Sequence, residues 1–140
     1  MPFIKDRFIP VGEVSTRKLS VRPVIPDCTA ASESGNTISV VIQCMDPDGL
    51  PVSRVVDLLV EVLKSDAKLA TSSEFTLAET GAGAAVSTTA KPSLIVTTSA
   101  AGLCTIAVHD VVGSYTGPAY LIVTPLNTLG SPGVFAVTFS

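Results

Sequence analysis

The chain has 140 residues, enough for one domain with its own core and too few for two ordinary ones. Apolar residues make up 46% and aromatics 5%, with no Trp, so a core must come from Val, Ile, Leu and Ala, while ten Gly and ten Pro supply frequent turns. Charged residues make up only 15%, against the roughly 25% of ordinary soluble domains, and the net charge is −3, a sparse surface that suits a protein packed against neighbours.

The first predicted element is an extended N-terminal arm over residues 1–30, ahead of a domain over 31–140. Pro2, Pro10, Pro23 and Pro26 remove donors and push their preceding residues towards extended backbone. Phe3, Ile4, Phe8 and Ile9 offer apolar anchors that a purely solvated tail would lack. Residues 1–26 hold Lys5, Arg7, Arg17, Lys18 and Arg22 against Asp6 and Glu13, whereas residues 27–140 hold four cations against ten acids. A basic leader on an acidic body points to an acidic protein surface as partner, and away from nucleic acid, whose phosphates the body repels. The opening MPFIKDRFIP carries charges where a secretory signal needs an apolar run, and no 18 apolar residues run together anywhere. The expectations are synthesis in a cytoplasm and no membrane partner.

The segment TISVVIQC, residues 37–44, alternates as a strand, with Ile38, Val40, Ile42 and Cys44 on one face and Val41 as the exception. Asp46-Pro47-Asp48-Gly49 is turn chemistry. Residues 54–64, RVVDLLVEVLK, fit a helix with Asp57 and Glu61 stacked, or a strand with Val56, Leu58, Val60 and Val62 on one face. So many Val residues make a weak helix, and the strand is preferred. A run through Leu69, Phe75 and Leu77 leads to a flexible Gly/Ala loop at Glu79–Ala84. Strands are then expected at SLIVTT (93–98), LCTIAV (103–108), AYLIVTP (119–125) and GVFAVTF (133–139). Short strands at this spacing, with turns between them, describe an all-β sandwich of about seven strands.

Chemistry-bearing residues are few. His109 is the only histidine, and Asp110 beside it points to the opposite face of a strand, so the two form no catalytic pair. Asp46, Asp48 and Asp110 are the one candidate calcium set, with too few oxygen ligands to favour it. The glycines at 81, 83 and 102 lack the following helix that a phosphate loop needs. Cys28, Cys44 and Cys104 have no metal or redox spacing, and cytosolic synthesis favours free thiols. No catalytic residue, metal or cofactor is expected.

Asp48-Gly49-Leu50-Pro51-Val52, a DG-x-PV turn, and Thr97 to Gly102 leading into Thr105-Ile106-Ala107-Val108 carry a family likeness. Over about three-quarters of its length the chain resembles bacterial immunoglobulin-like domains of the invasin type. It departs from them at Arg54-Val55-Val56, where the family usually has a Gly. The resemblance implies an immunoglobulin-like β-sandwich, with Cys44 and Cys104 placed like the inter-sheet disulfide pair of antibody domains. It also implies a module of secreted adhesins or of tailed-phage particles. With one module, no secretion signal and a basic arm, the chain is similar in size and layout to phage capsid decoration (cement) proteins. The implied setting is a virion, and the implied partners are the major capsid protein, copies of itself, or both, in a homo-oligomer or a lattice. Phe3, Lys5, Arg7, Phe8, Arg17, Lys18 and Arg22 are the expected protein interface. The alternatives are a tail, baseplate or fibre component, and a surface module binding glycan or receptor through loops at 81–85 and 114–118.

Overall fold

The computed structural model describes residues 22–86 and 91–140. Among them are nine strands and no helix: β1 (Ile25–Ala30), β2 (Thr37–Met45), β3 (Asp57–Leu63), β4 (Phe75–Glu79), β5 (Ala84–Ala85), β6 (Ser93–Thr97), β7 (Leu103–Asp110), β8 (Gly117–Leu126) and β9 (Gly133–Phe139). They form two antiparallel sheets, a four-stranded one ordered β1-β2-β7-β4 and a five-stranded one ordered β5-β6-β3-β8-β9. The first sheet, with β3-β8-β9 of the second, has the strand order of an immunoglobulin constant-type sandwich. β5 and β6 are additions between β4 and β7 that extend the second sheet beyond β3.

The expected alternation places the core. Ile38, Val40, Ile42 and Cys44 of β2 face Leu58, Val60 and Val62 of β3 and Ala119, Leu121 and Val123 of β8, each at most 1% exposed. The ambiguous 54–64 segment is a strand from Asp57, with the even-numbered residues inward as expected. At one end of the sandwich the few aromatics stand in for the missing Trp. The Phe75 ring lies 4.9 Å from Tyr115 and 5.5 Å from Phe139, tying β4, the β7–β8 connection and β9 together. Tyr115 donates its hydroxyl proton to Pro118 O (2.8 Å) and accepts from Ser65 N (3.1 Å), which satisfies its polar tip.

Two strands exceed the expected seven, and one moves the domain boundary. Residues 24–30, assigned to the arm from their prolines, belong to the sandwich. Val24 is fully buried, its N–H bonds Leu129 O at 2.8 Å, and Ile25–Ala30 pair with β2. Ladder bonds of an antiparallel pair fall on alternate residues, and Ala31 N to Ser39 O puts the odd-numbered residues of β1 on the β2 side. Pro26 therefore turns its missing donor to the open edge, where a proline costs no ladder bond. The other addition, β5, has two residues and lies within the segment expected to be a loop.

The DPDG turn forms as expected, with Gly49 N bonding Asp46 O and the chain returning so that Val52 N bonds Cys44 O. Gly102 has φ +71°, and a Cβ there would stand 2.4 Å from Val52 O, so this close approach requires glycine. Cys44 and Cys104 lie on β2 and β7, neighbours within one sheet, so they do not reproduce the inter-sheet disulfide of antibody domains. All three cysteines are free thiols.

Candidate functional site

Of the expected interface residues, Phe3, Lys5, Arg7, Phe8, Arg17 and Lys18 lie outside the described residues, and Arg22 is the one inside them. Arg22, though half exposed, is tied to its own domain. Its Nη2 donates to Asp48 Oδ2 at 2.7 Å and its Nη1 lies 3.8 Å from Asp46 Oδ2. The hydrogen bond and charge of Asp48 hold its pKa above the ordinary arginine value. The cause is local: burial of Val24 fixes the chain two residues later and leaves Arg22 beside the DPDG turn. The charge assigned to an acidic partner is compensated within the domain.

The isolated chemical candidates are likewise occupied by structural roles. Asp46 Oδ1 accepts from the N–H groups of Asp48 and Leu50, closing its own turn. Asp110 is buried and accepts from Val112 N and Tyr115 N, shaping the β7–β8 connection. Asp46 follows the end of β2, whereas Asp110 N bonds Asn36 O just before its start, so the three aspartates do not gather. Among the described residues no group of three metal-ligating side chains exists. His109 faces outward and shares a hydrogen bond with Thr37 Oγ1 at 2.9 Å, on the opposite face from Asp110.

The thiols share one face. Cys28 pairs across from Ile42, and Ile42 from Cys104, so Cys28, Ile42 and Cys104 form a row, with Cys44 two residues along β2. Burial pushes Cys28 and Cys104 up to about 12 and Cys44 to about 11, from 9.0. Asp27 raises Cys28 further, Cys44 raises Cys104, and Arg54 partly offsets the shift at Cys44. Thiols held protonated in this way are inert as nucleophiles and pack as small apolar groups.

The loops considered for ligand recognition lie apart. Ala84 pairs with Thr97, which pairs with Asp57, which pairs with Leu126 at the end of β8, whereas Gly117 begins that strand. Ten residues of strand put the two loops about 30 Å apart. Nor is the Gly81–Ala85 loop a free tip. Glu79 Oε1 accepts from the N–H groups of Gly81 and Gly83, and a Cβ at Gly83 would stand 2.7 Å from Cys104 Cβ.

What stands out is the contrast between the two outer faces. The four-stranded sheet presents Asp27, Thr29, Thr37, Ser39, Gln43, Thr76, Ala78, Thr105, Ala107 and His109, a largely polar surface interrupted by Ile25, Val41, Met45 and Leu103. The outer face of the five-stranded sheet is apolar. Register aligns Val86, Ile95, Leu59 and Thr124 in one row, then Ser93, Glu61, Ile122 and Val134, then Leu63, Tyr120 and Ala136. Val86 is 68% exposed, Val134 62% and Ile95 41%. A shallow groove of about 240 Å³ runs along Leu59, Val86, Lys91 and Ile95. Glu61 is the one charge in the middle of the face, and no ion pair engages it among the described residues.

None of these outward apolar residues was singled out as a site from the sequence, yet the signal was there. The runs LLVEVL, LIV and YLIV are apolar on both parities, the pattern of strands covered on both faces. One cover is the opposing sheet; the described residues supply no second one. Comparison with protein-family models, curated proteins and solved structures finds no match to this chain.

Proposed function

We propose that the chain is a structural protein of a phage particle, a capsid decoration protein that binds the head shell and reinforces it. The observation that carries the reading is the largely apolar outer face of the five-stranded sheet, the size of a functional patch and less polar than the opposite side of the same sandwich. Three further features support it: the 15% charged fraction, the basic leader on an acidic body, and the DG-x-PV likeness to immunoglobulin-like modules. A shell-binding protein needs no single strong site, because many modest contacts repeated by symmetry raise the cost of prying subunits apart.

In this reading the leader and the apolar face are the two grips, each on the shell or on a sister copy. The truncation that tests the leader ends at residue 21, since Val24 is a core residue and cutting beyond it would damage the sandwich. Removal of residues 1–21 abolishes binding to shells and leaves the β-rich circular-dichroism spectrum intact; retained binding contradicts the role of the leader. The setting is tested by counting copies in purified particles by quantitative mass spectrometry. Hundreds of copies per particle are expected. A handful would move the protein to a tail, baseplate or fibre, and absence from the particle would overturn the reading.

A further inference from the structure

We propose that residues 3–9 of one copy dock across the outer face of the five-stranded sheet of a second copy, so that neighbours are linked by exchanged leaders. This rests on the structural reading above and names the occupant of its apolar face.

Area argues for a segment rather than a face-to-face pair. Five strands about 4.8 Å apart, and three rows about 7 Å apart, make a patch of roughly 20 by 20 Å, or about 400 Å². A standard protein interface buries about 800 Å² per partner, twice what this face can offer another flat face. A seven-residue extended segment, about 23 Å long, matches its width.

Pattern and charge argue for this particular segment. In extended conformation Phe3, Lys5, Arg7 and Ile9 share one side, two apolar ends bracketing two cations. The patch has the complementary arrangement. Val86 and Ile95 lie at one side, Ile122 and Val134 at the other, and Glu61 between them on β3. From Val86 to Val134 is four strand spacings and one row, about 20 Å, and from Phe3 to Ile9 is six residues, also about 20 Å. Signs match as well. The face has the carboxylates of Glu61 and Asp57 with Lys91 at its rim, and the segment has Lys5 and Arg7 with Asp6 between them.

The described chain starts at one end of the sandwich, and a second copy is the occupant that the association assay below tests. Arg22 is tied to Asp46 and Asp48 at the far end of the four-stranded sheet, and Val24 enters beside Leu129 and Gly130. The chain therefore enters at an end of the sandwich, beside the β8–β9 connection, with Arg22 held at the DPDG turn. Exchange of a terminal segment between identical copies links them at little cost, because the same contacts serve every neighbour.

The test uses full-length protein. Self-association is measured by analytical ultracentrifugation for wild type, for Glu61→Lys, and for the double variant Lys5→Glu/Arg7→Glu, with circular dichroism confirming the fold of each. Each variant alone is expected to associate at least tenfold more weakly than wild type. A 1:1 mixture of the two is expected to recover association to within about threefold, because each leader then meets a face of opposite charge. Mixing without recovery overturns the proposal, as does a wild-type protein that stays monomeric at hundreds of micromolar. Hundreds of copies of such a monomer in a particle would leave the virion reading standing. Leader-dependent association of a protein absent from particles would do the reverse.

Discussion

Raising the pH from 8 to 10 should remove about 4 kcal/mol of folding stability through three thiols. Burial on the inner face of the four-stranded sheet pushes Cys28, Cys44 and Cys104 up from 9.0 to about 12, about 11 and about 12. The unfolded chain releases these protons near 9, while the folded chain keeps them. Their contribution is therefore complete below the unfolded value and is lost as pH rises towards the folded ones. At pH 10 the difference is between about 1 and 2 kcal/mol per thiol, or about 4 for all three, a large part of a total of about 5–15 kcal/mol. With an m-value of about 2 kcal/mol per molar urea, the unfolding midpoint of the reduced protein falls by about 2 M between pH 8 and pH 10. The control is Cys28→Ala/Cys44→Ala/Cys104→Ala, which starts less stable because of its small cavities but retains every other ionisable side chain. Its slope with pH should be far shallower. Cys104→Ala alone should lose about a third of the effect, which keeps the test open if the triple variant does not fold. Parallel slopes for wild type and variants would refute the reasoning.

Leu121→Ala, at a fully buried site on β8 between Val62 and Phe135, should cost about 2–5 kcal/mol in urea unfolding, against well under 1 for Thr138→Ala on the surface. Gly102→Ala should be much more damaging than Gly49→Ala. Both have positive φ, but only at Gly102 does the new Cβ collide with backbone, at Val52 O, so Gly49→Ala should cost only about 1–2 kcal/mol and Gly102→Ala clearly more. Lys64 Nζ lies 3.0 Å from Glu74 Oε2, and this hydrogen bond, with that from Thr71, lowers the Glu74 pKa. The contribution of the pair is present above the ordinary carboxylate range and lost as pH falls through the lowered value. The difference in melting temperature between wild type and Glu74→Gln should accordingly vanish in strong acid, and a difference that persists there would contradict the assignment.

Most of the architecture was legible because strands announce themselves by parity. Ile38, Val40, Ile42 and Cys44, and Cys104, Ile106 and Val108, alternate cleanly because one face of their sheet meets the core and the other is polar. β1 was hidden by Pro23 and Pro26, which read as an arm until the register shows Pro26 on an open edge. The pairing of β3 with β6 on one side and β8 on the other depends on contacts distant in sequence, which no local pattern specifies. The candidate site was harder to read for an electrostatic reason. Charge drew attention to the leader, yet Arg22 is neutralised by its own domain. The apolar residues of β3, β6 and β8 drew none, because an apolar run reads as core until the topology says which half faces solvent.

The central claim is that the outer face of the five-stranded sheet, left uncovered by the described residues, is covered in the assembly. Hydroxyl-radical footprinting of the dilute protein and of assembled particles measures this directly, side chain by side chain. The account predicts strong protection of Ile95, Ile122 and Val134 on assembly, with Val41 and Leu103 on the opposite sheet labelled as before. Equal labelling of Ile95, Ile122 and Val134 in the two states would contradict it.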